Sequence, residues 1–339
     1  MSDFLHSLQR GPLLADGAMG SLLFERTGRL SEPNHVYEAF NADRPDLVLQ
    51  VHLAYLQAGA RCLTTNTFGA GRAQLAAYGL AHRTPELNRA GVAVARRAIG
   101  DFVEQSRAEG PFHVLGSIGP HDEPTGGDDE QLRALVEAGV DAVLLETFVD
   151  LEQATSLVER LRVLAPDLPV VVGMALQQRP EGGWNLDPVR FVDRMAELDV
   201  AAAGVNCCAP REALAFLDAV GELPAVRERR VLLSAMPNGA DFHRIGHRYL
   251  TGVNPEYMGN LARQLVDRGV ALVGGCCEVH PPHLAEMHNY LQGRLVGRDR
   301  IWASAPAATL PPISDEVKRT NGPLSRKLKD GGFAVSVEM

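Results

Sequence analysis

Four stretches of this chain align without a gap: residues 58–66 (AGARCLTTN), 138–146 (AGVDAVLLE), 198–206 (LDVAAAGVN) and 268–276 (RGVALVGGC). Each reads as a helix end, a tight turn and a buried strand. They start 80, 60 and 70 residues apart, about twice the length of a βα unit, so a further strand is expected between each pair. Residues 13–16, 113–119, 170–176 and 231–236 are apolar runs of strand length that supply those strands and bring the count to eight.

Helix starts punctuate the intervals. Thr84-Pro85, Asp187-Pro188 and Asn254-Pro255 each place a capping side chain before a proline, and Asp150 with Gln153 resembles a capping box. Near-continuous apolar strands alternating with amphipathic helices mean a parallel sheet covered by helices. Eight repeats favour a closed α/β structure, the (β/α)8 TIM barrel, over an open doubly wound sheet, and no Gly-x-Gly-x-x-Gly follows the first strand. The barrel is expected over residues 1–310. Residues 311–339 read as a linker running into one strand, residues 333–339, that has nothing after it to pair with, and hence as the truncated start of a second domain.

Composition narrows the function. A net charge of -9 without a long basic run disfavours nucleic acid, and no apolar stretch reaches the roughly 18 residues that span a bilayer. Met1-Ser2-Asp3 opens without the features of a signal peptide, so a cytoplasmic protein is expected. Five cysteines in 339 residues of a reducing compartment argue against a disulfide framework.

Four of those cysteines lie in Asn206-Cys207-Cys208 and Gly274-Gly275-Cys276-Cys277, at the ends of two predicted strands. In a parallel barrel such ends converge on the face that carries active sites. Asp16, Asn66, Glu146, Asn206, Cys207, Cys276 and Cys277 are therefore expected around one mouth. Three thiolates together need a divalent cation, and zinc would fill that place while keeping a fourth position for a soft substrate thiol. The suggested chemistry is transfer of an electrophilic group, such as methyl, to that thiol. Blander readings stand beside it. Vicinal cysteines also occur as simple buried residues, Cys62 reads as a small core residue, and Cys208 should point away from the mouth. His280 and His283 more naturally begin a helix than bind metal, and Asp16 before Gly17 also suits a turn. Glu146, closing an apolar strand, needs a cation, for which a substrate ammonium would serve.

With those residues in view, residues 10–295 resemble the zinc-dependent homocysteine S-methyltransferase family. The matches are Leu14-Ala15-Asp16-Gly17-Ala18-Met19-Gly20, Thr65-Asn66-Thr67-Phe68, Leu145-Glu146-Thr147-Phe148, Gly204-Val205-Asn206-Cys207 and Gly274-Gly275-Cys276-Cys277. The resemblance implies a (β/α)8 barrel with Cys207, Cys276 and Cys277 as zinc ligands and L-homocysteine sulfur in the fourth place. It further implies Asp16 and Glu146 at the amino group and backbone amides near Gly17 and Ala18 at the carboxylate. The chain departs from the family where Cys277-Glu278-Val279-His280 replaces the usual Cys-Gly-Thr-Thr.

The tail, residues 327–339, resembles the opening of methylenetetrahydrofolate reductase, so a fused reductase domain is expected as a partner. That favours methyltetrahydrofolate as donor, delivered directly or through a cobalamin carrier; a sulfonium such as S-methylmethionine is the other choice. Betaine is disfavoured, because Trp184, Tyr78 and Trp302 are the only obvious cage members. Two rivals remain: a non-catalytic zinc or thiol redox protein, and a methyltransferase for another thiol or selenol such as selenocysteine.

Overall fold

Strands form where the apolar runs predict them. The computed structural model describes residues 3–27, 36–120, 128–179, 181–239, 243–245, 248–250 and 254–292, all within the compact unit Met1–Arg298. The strands are β1 (Leu13–Leu14), β2 (Cys62–Thr64), β3 (His113–Ile118), β4 (Ala142–Phe148), β5 (Val170–Met174), β6 (Ala202–Asn206), β7 (Leu232–Met236), β8 (His243–Ile245), β9 (Arg248–Leu250) and β10 (Val270–Val273). Eight of them form one sheet in the order β1-β10-β7-β6-β5-β4-β3-β2, every pairing parallel. A parallel bridge between Ala15 and Cys62, with Asp16 N–H donating to the Cys62 carbonyl at 3.0 Å, joins β1 to β2. The helices between strands complete the expected (β/α)8 barrel.

Alternation along the strands separates two apolar layers. Val143, Leu145, Val170, Val172, Ala203 and Val205 pack in the large cluster under the helices. Their neighbours Ala142, Leu144, Val171 and Ala202 belong to a second cluster with Leu115, Cys62 and Ala15, which fills the barrel interior. Phe4 and Leu8 of the helix Asp3–Arg10 join that interior cluster. The same parity places Thr64, Ser117, Glu146 and Asn206 on the inner face at the C-terminal end, above the apolar layers.

Two of the expected proline-flanked caps form. Asp187 accepts from Val189 N–H at 2.9 Å and Asn254 from Tyr257 N–H at 2.8 Å. Asp150 caps its helix too, accepting from Glu152 N–H at 2.9 Å. Thr84 differs: it is already the first residue of the helix Thr84–Ser106, and its hydroxyl donates to the Ala81 carbonyl at 3.0 Å. The preceding turn Ala81–Arg83 runs into this helix, so no extended residue is left to act as cap. The antiparallel β8–β9 pair carries no counterpart in the expected strand count. Among the described residues no helix is long and apolar enough to cross a membrane. The predicted linker, the terminal strand 333–339 and Trp302 lie outside the described residues.

Candidate active site

The thiols of Cys207, Cys276 and Cys277 come within 4.8 Å of one another. They arrive from two strand ends that flank β7. Cys207 follows β6 directly in the left-handed conformation (φ 50°), while Cys276 and Cys277 sit beyond β10. The connection after β7 stitches the two turns together. Cys207 N–H donates to the Met236 carbonyl at 3.1 Å, Cys276 N–H to the Pro237 carbonyl at 3.0 Å and Gly239 N–H to the Cys277 carbonyl at 2.8 Å.

This donor set fits a zinc ion. Cys207 Sγ and Cys277 Sγ are 3.7 Å apart, and tetrahedral bonds of about 2.3 Å to one zinc require a sulfur spacing of about 3.8 Å. Without a cation, hydrogen bonds from Cys207 and Cys276 hold the Cys277 thiol down at about 3. The Cys276 thiol is pushed well above its usual range by its bonds to Cys207 and Cys277 and by burial. One thiolate shared by two thiols is what the bare cluster supports; three need a positive ion. Asn238 also reaches Cys207 with its side chain, and its buried Oδ1 has no hydrogen-bond partner, leaving an acceptor beside the sulfurs. Cys208 is buried in the core under the helices and Cys62 in the barrel interior, as expected of structural residues. His280 caps the helix Pro281–Leu291, and its N–H donates to His283 Nδ1 at 3.0 Å, so both histidines stay outside the sulfur cluster.

The sulfurs line one wall of a cavity of about 540 Å³. Asp16 and Glu146 line other parts of it. Asp16 is 3% exposed, its Oδ2 accepts from Thr64 N–H at 2.8 Å, and burial outweighs that bond to push its carboxyl up to about 7. Burial likewise pushes Glu146 up to about 7 against a short hydrogen bond from the Ser117 hydroxyl, with the charge of Cys277 adding to the rise. Both carboxyls are therefore poised to ionise when a cation arrives.

The remaining predicted residues divide. Asn66 lines the cavity, but its side-chain nitrogen donates to the Tyr37 carbonyl at 2.7 Å and to Asn41 Oδ1 at 3.0 Å. It fixes the wall. Asn206 is not among the lining residues: its Oδ1 accepts from Thr147 N–H at 2.8 Å, and its nitrogen donates to Thr147 Oγ1 at 2.8 Å and Glu146 Oε2 at 3.4 Å. Asn206 thereby holds Thr147 at φ 66°, a conformation costly for a β-branched residue, and steadies Glu146. Gly17 and Ala18 line the cavity, yet Ala18 N–H donates to the Val279 carbonyl at 3.0 Å. Beyond them the helix Met19–Arg26 begins without a side-chain cap, and Met19, Gly20 and Ser21 turn its first turn toward the cavity. Glu278, the departure from the family pattern, lines the cavity at φ 62°.

Sequence reasoning missed Ser117, Tyr37 and Glu38 and gave Phe68 no role, although all four line the cavity. The inner-face parity of β3 could have found Ser117. The aromatic pair at the mouth is Tyr37 and Phe68; Tyr78 and Trp184, the expected cage members, are not among the lining residues.

The pattern of the homocysteine S-methyltransferase family matches residues 13–291. The chain is 28% identical over 307 residues to methionine synthase of Mycobacterium leprae (strain TN), a match covering 84% of this chain and 25% of that protein. Methionine synthase of Mycobacterium tuberculosis (strain ATCC 25618 / H37Rv) is 28% identical over 312 residues with the same coverage, so the chain spans about a quarter of these curated relatives. The crystal structure of the homocysteine methyltransferase MmuM from Escherichia coli in its metallated form matches with a TM-score of 0.69 at 25% identity, covering 82% of this chain and 96% of that one. The match of the family pattern begins at β1 and ends with the last described helix, so it takes in every described strand and every cysteine of the site. On that extent of agreement, the chain belongs to the homocysteine S-methyltransferase family of enzymes.

Proposed function

We propose that this chain transfers a methyl group to the thiol of L-homocysteine, giving methionine, at a zinc ion held by Cys207, Cys276 and Cys277. The observation that carries the reading is the placement of these three sulfurs on one wall of a cavity whose other walls present Asp16 and Glu146. Zinc in that cage would keep a thiol of ordinary pKa about 8.5 deprotonated at neutral pH, which makes it a nucleophile.

The protein's own groups fit the rest of the amino acid. Asp16 and Glu146 receive the ammonium, which supplies the counter-charge their burial otherwise denies them. Ser117 and Asn206 hold the two oxygens of Glu146 from opposite sides. The uncapped first turn of the helix Met19–Arg26 offers N–H groups and a positive dipole end to the carboxylate. The cavity then holds the sulfur in line with an incoming methyl carbon, which is where most of the rate advantage arises. No general base among the residues is needed.

Two donor routes suit this reading: a small sulfonium taken directly, or methyltetrahydrofolate made by a reductase partner and taken directly or relayed through a cobalamin protein. A cytoplasmic setting suits it as well, since all five cysteines are free. The test is mass-spectrometric detection of methionine from zinc-loaded protein, L-homocysteine and separately supplied donors, alongside zinc content. Zinc-independent turnover, or full turnover by Cys207→Ser, would sink the reading.

A further inference from the structure

The Ser117 hydroxyl that steadies Glu146 is itself held by a ring of hydrogen bonds. We propose that Thr65 and Thr67 are positioning residues for the reaction: their hydroxyls clamp the backbone of Ser117, and through Ser117 they aim the Glu146 carboxylate at the substrate ammonium. This rests on the homocysteine reading above and deepens it.

β2 stops at Thr64, before β3 does. Alternate residues of a strand turn their N–H and C=O to the same neighbour, so Leu115, Ser117 and Gly119 face the β2 side. Two of the three find backbone there. The Leu115 carbonyl accepts from Thr65 N–H at 2.9 Å, and Gly119 N–H donates to the Phe68 carbonyl at 2.9 Å. Between them the chain folds back on itself, with Thr67 N–H donating to the Thr65 carbonyl at 2.8 Å. Ser117 is met by side chains instead. Its N–H donates to Thr65 Oγ1 at 3.0 Å, and the Thr67 hydroxyl donates to its carbonyl at 2.8 Å. Two threonine oxygens thus continue the β2–β3 ladder past the point where β2 ends.

Counting protons closes the ring. A hydroxyl carries one hydrogen, and that of Thr67 is spent on the Ser117 carbonyl, so in the 2.6 Å contact between Thr65 Oγ1 and Thr67 Oγ1 the Thr65 hydroxyl is the donor. Each of the four polar groups then has its partner, and Thr65, Thr67 and Ser117 are all buried. Thr67 is pinned from its other side too. Its methyl packs on Gly91 of the helix Thr84–Ser106, where a Cβ would lie 2.7 Å away, which keeps Oγ1 turned to β3. The Ser117 hydroxyl stands outside the ring and donates to Glu146 Oε1.

The ring therefore reaches the site through one bond. Ser117 pairs with Leu144, two residues before Glu146 on the same face of β4. The other carboxylate oxygen, Oε2, has only the longer 3.4 Å bond from Asn206, so Ser117 decides where the carboxylate points. Removing Thr67 Oγ1 would strip the Ser117 carbonyl of its donor at a depth where a bare carbonyl is costly, and the strand end would shift to find another. The Ser117 hydroxyl moves with it. That disturbance falls on the ammonium end of the substrate, since the sulfur is held beyond β6 and β10 and the carboxylate at the helix Met19–Arg26.

The test titrates the full zinc-loaded chain calorimetrically with L-homocysteine and with 4-mercaptobutyrate, which keeps the thiol and the carboxylate but lacks the ammonium. Wild type is compared with Thr67→Val, which trades the oxygen for a methyl in nearly the same shape, and with Thr67→Ser, which keeps the hydroxyl. Thr65→Ala and Thr65→Ser read the other hydroxyl, so the comparison survives a failure of Thr67→Val to fold. We expect the variants without a hydroxyl to bind homocysteine roughly tenfold more weakly, with 4-mercaptobutyrate changed by less than about twofold, and the serine variants to keep the wild-type preference. In a Ser117→Ala background, Thr67→Val should add nothing to the loss of preference. Equal weakening of both ligands, an unchanged preference, no rescue by serine, or a further loss on top of Ser117→Ala would each overturn the proposal. The homocysteine reading fails in a different way: a wild type that binds neither ligand, or binds both alike, sinks that reading and this one with it.

Discussion

Gly17 shows how tightly the site is tied together at the level of single residues. A Cβ there would sit 2.2 Å from the Val279 carbonyl oxygen, which already accepts from Ala18 N–H at 3.0 Å and from the Tyr55 hydroxyl at 2.9 Å. Val279 N–H in turn donates to the Cys276 carbonyl, so displacing Val279 moves the thiol-bearing turn. Gly17→Ala should cost about 2–3 kcal/mol of stability and weaken zinc binding at least about tenfold. Gly20→Ala is the control, because nothing lies within 4 Å of its would-be Cβ and it sits in a helix. Denaturant unfolding and chelator competition on the pair decide the point, and equal behaviour of the two variants would refute it. A second pair separates ligand from passenger. Cys207→Ser should lose zinc, whereas Cys208→Ser, buried in the core, should keep one zinc per chain and lose stability; metal analysis of both checks this. Cysteines and acids at strand ends were legible in the sequence because the C-terminal ends of all strands in a parallel barrel open on the same face. Glu38 was not, since it sits on the short turn Tyr37–Ala39 that no periodicity marks. Asn66 and Asn206 were harder to read for another reason: an amide near a strand end can face a ligand or brace its neighbours, and only the structure shows the hydrogen bonds by which both brace the wall.

At the scale of elements, the strands were readable because buried parallel strands are near-continuous apolar runs, and the four-fold segment repeat marked where they stop. The common offset did not carry equal positions, however. Asn66 lies two residues past β2, Glu146 is inside β4, Asn206 ends β6 and Cys276 lies three residues past β10. Register shifts in the β4–β5 and β10–β7 pairings accompany this unevenness. Strand spacing also depends on glycine: a Cβ on Gly204 would lie 1.7 Å from the Ser234 carbonyl oxygen of the neighbouring strand β7, a contact that no side-chain adjustment relieves. Caps were legible only where the capping residue was extended, as at Asp187 (ψ 116°); at Thr84 the helix starts where expected, but the residue is helical itself and does not cap. Asp187→Ala should therefore destabilise the protein by about 1 kcal/mol through loss of the bond to Val189 N–H, without affecting zinc or homocysteine binding. Thermal unfolding with and without homocysteine checks both halves of that statement.

For the molecule as a whole, the buried acids of the cavity set how stability depends on pH. Glu146 titrates at about 7 when folded, raised from 4.5, and Asp16 at about 7, raised from 3.8. Between roughly pH 4.5 and 7 the folded protein keeps protons that the unfolded chain has released, so these groups make stability fall as pH rises through that window. A tenfold difference in proton affinity between the folded and unfolded chain is worth about 1.4 kcal/mol, so the loss per group is on the order of a few kcal/mol. Buried histidines work the other way, and burial lowers both His52 and His113. His52, without hydrogen-bond partners, is lowered to about 4, so it resists protonation when folded and makes stability fall as pH drops from about 6.5 towards 4. The contribution of Glu146 is isolated by comparing wild type with Glu146→Gln in metal-free protein, where the amide cannot ionise and His52 is common to both. The stability of Glu146→Gln relative to wild type should rise between pH 5 and pH 8. The Glu146 charge is one cause of the raised Asp16 carboxyl, so removing it also eases the ionisation of Asp16 and adds to the difference in the same direction. A flat difference across that range would mean that Glu146 is already paired in the empty cavity, and the ammonium site would then have to be sought elsewhere on its wall.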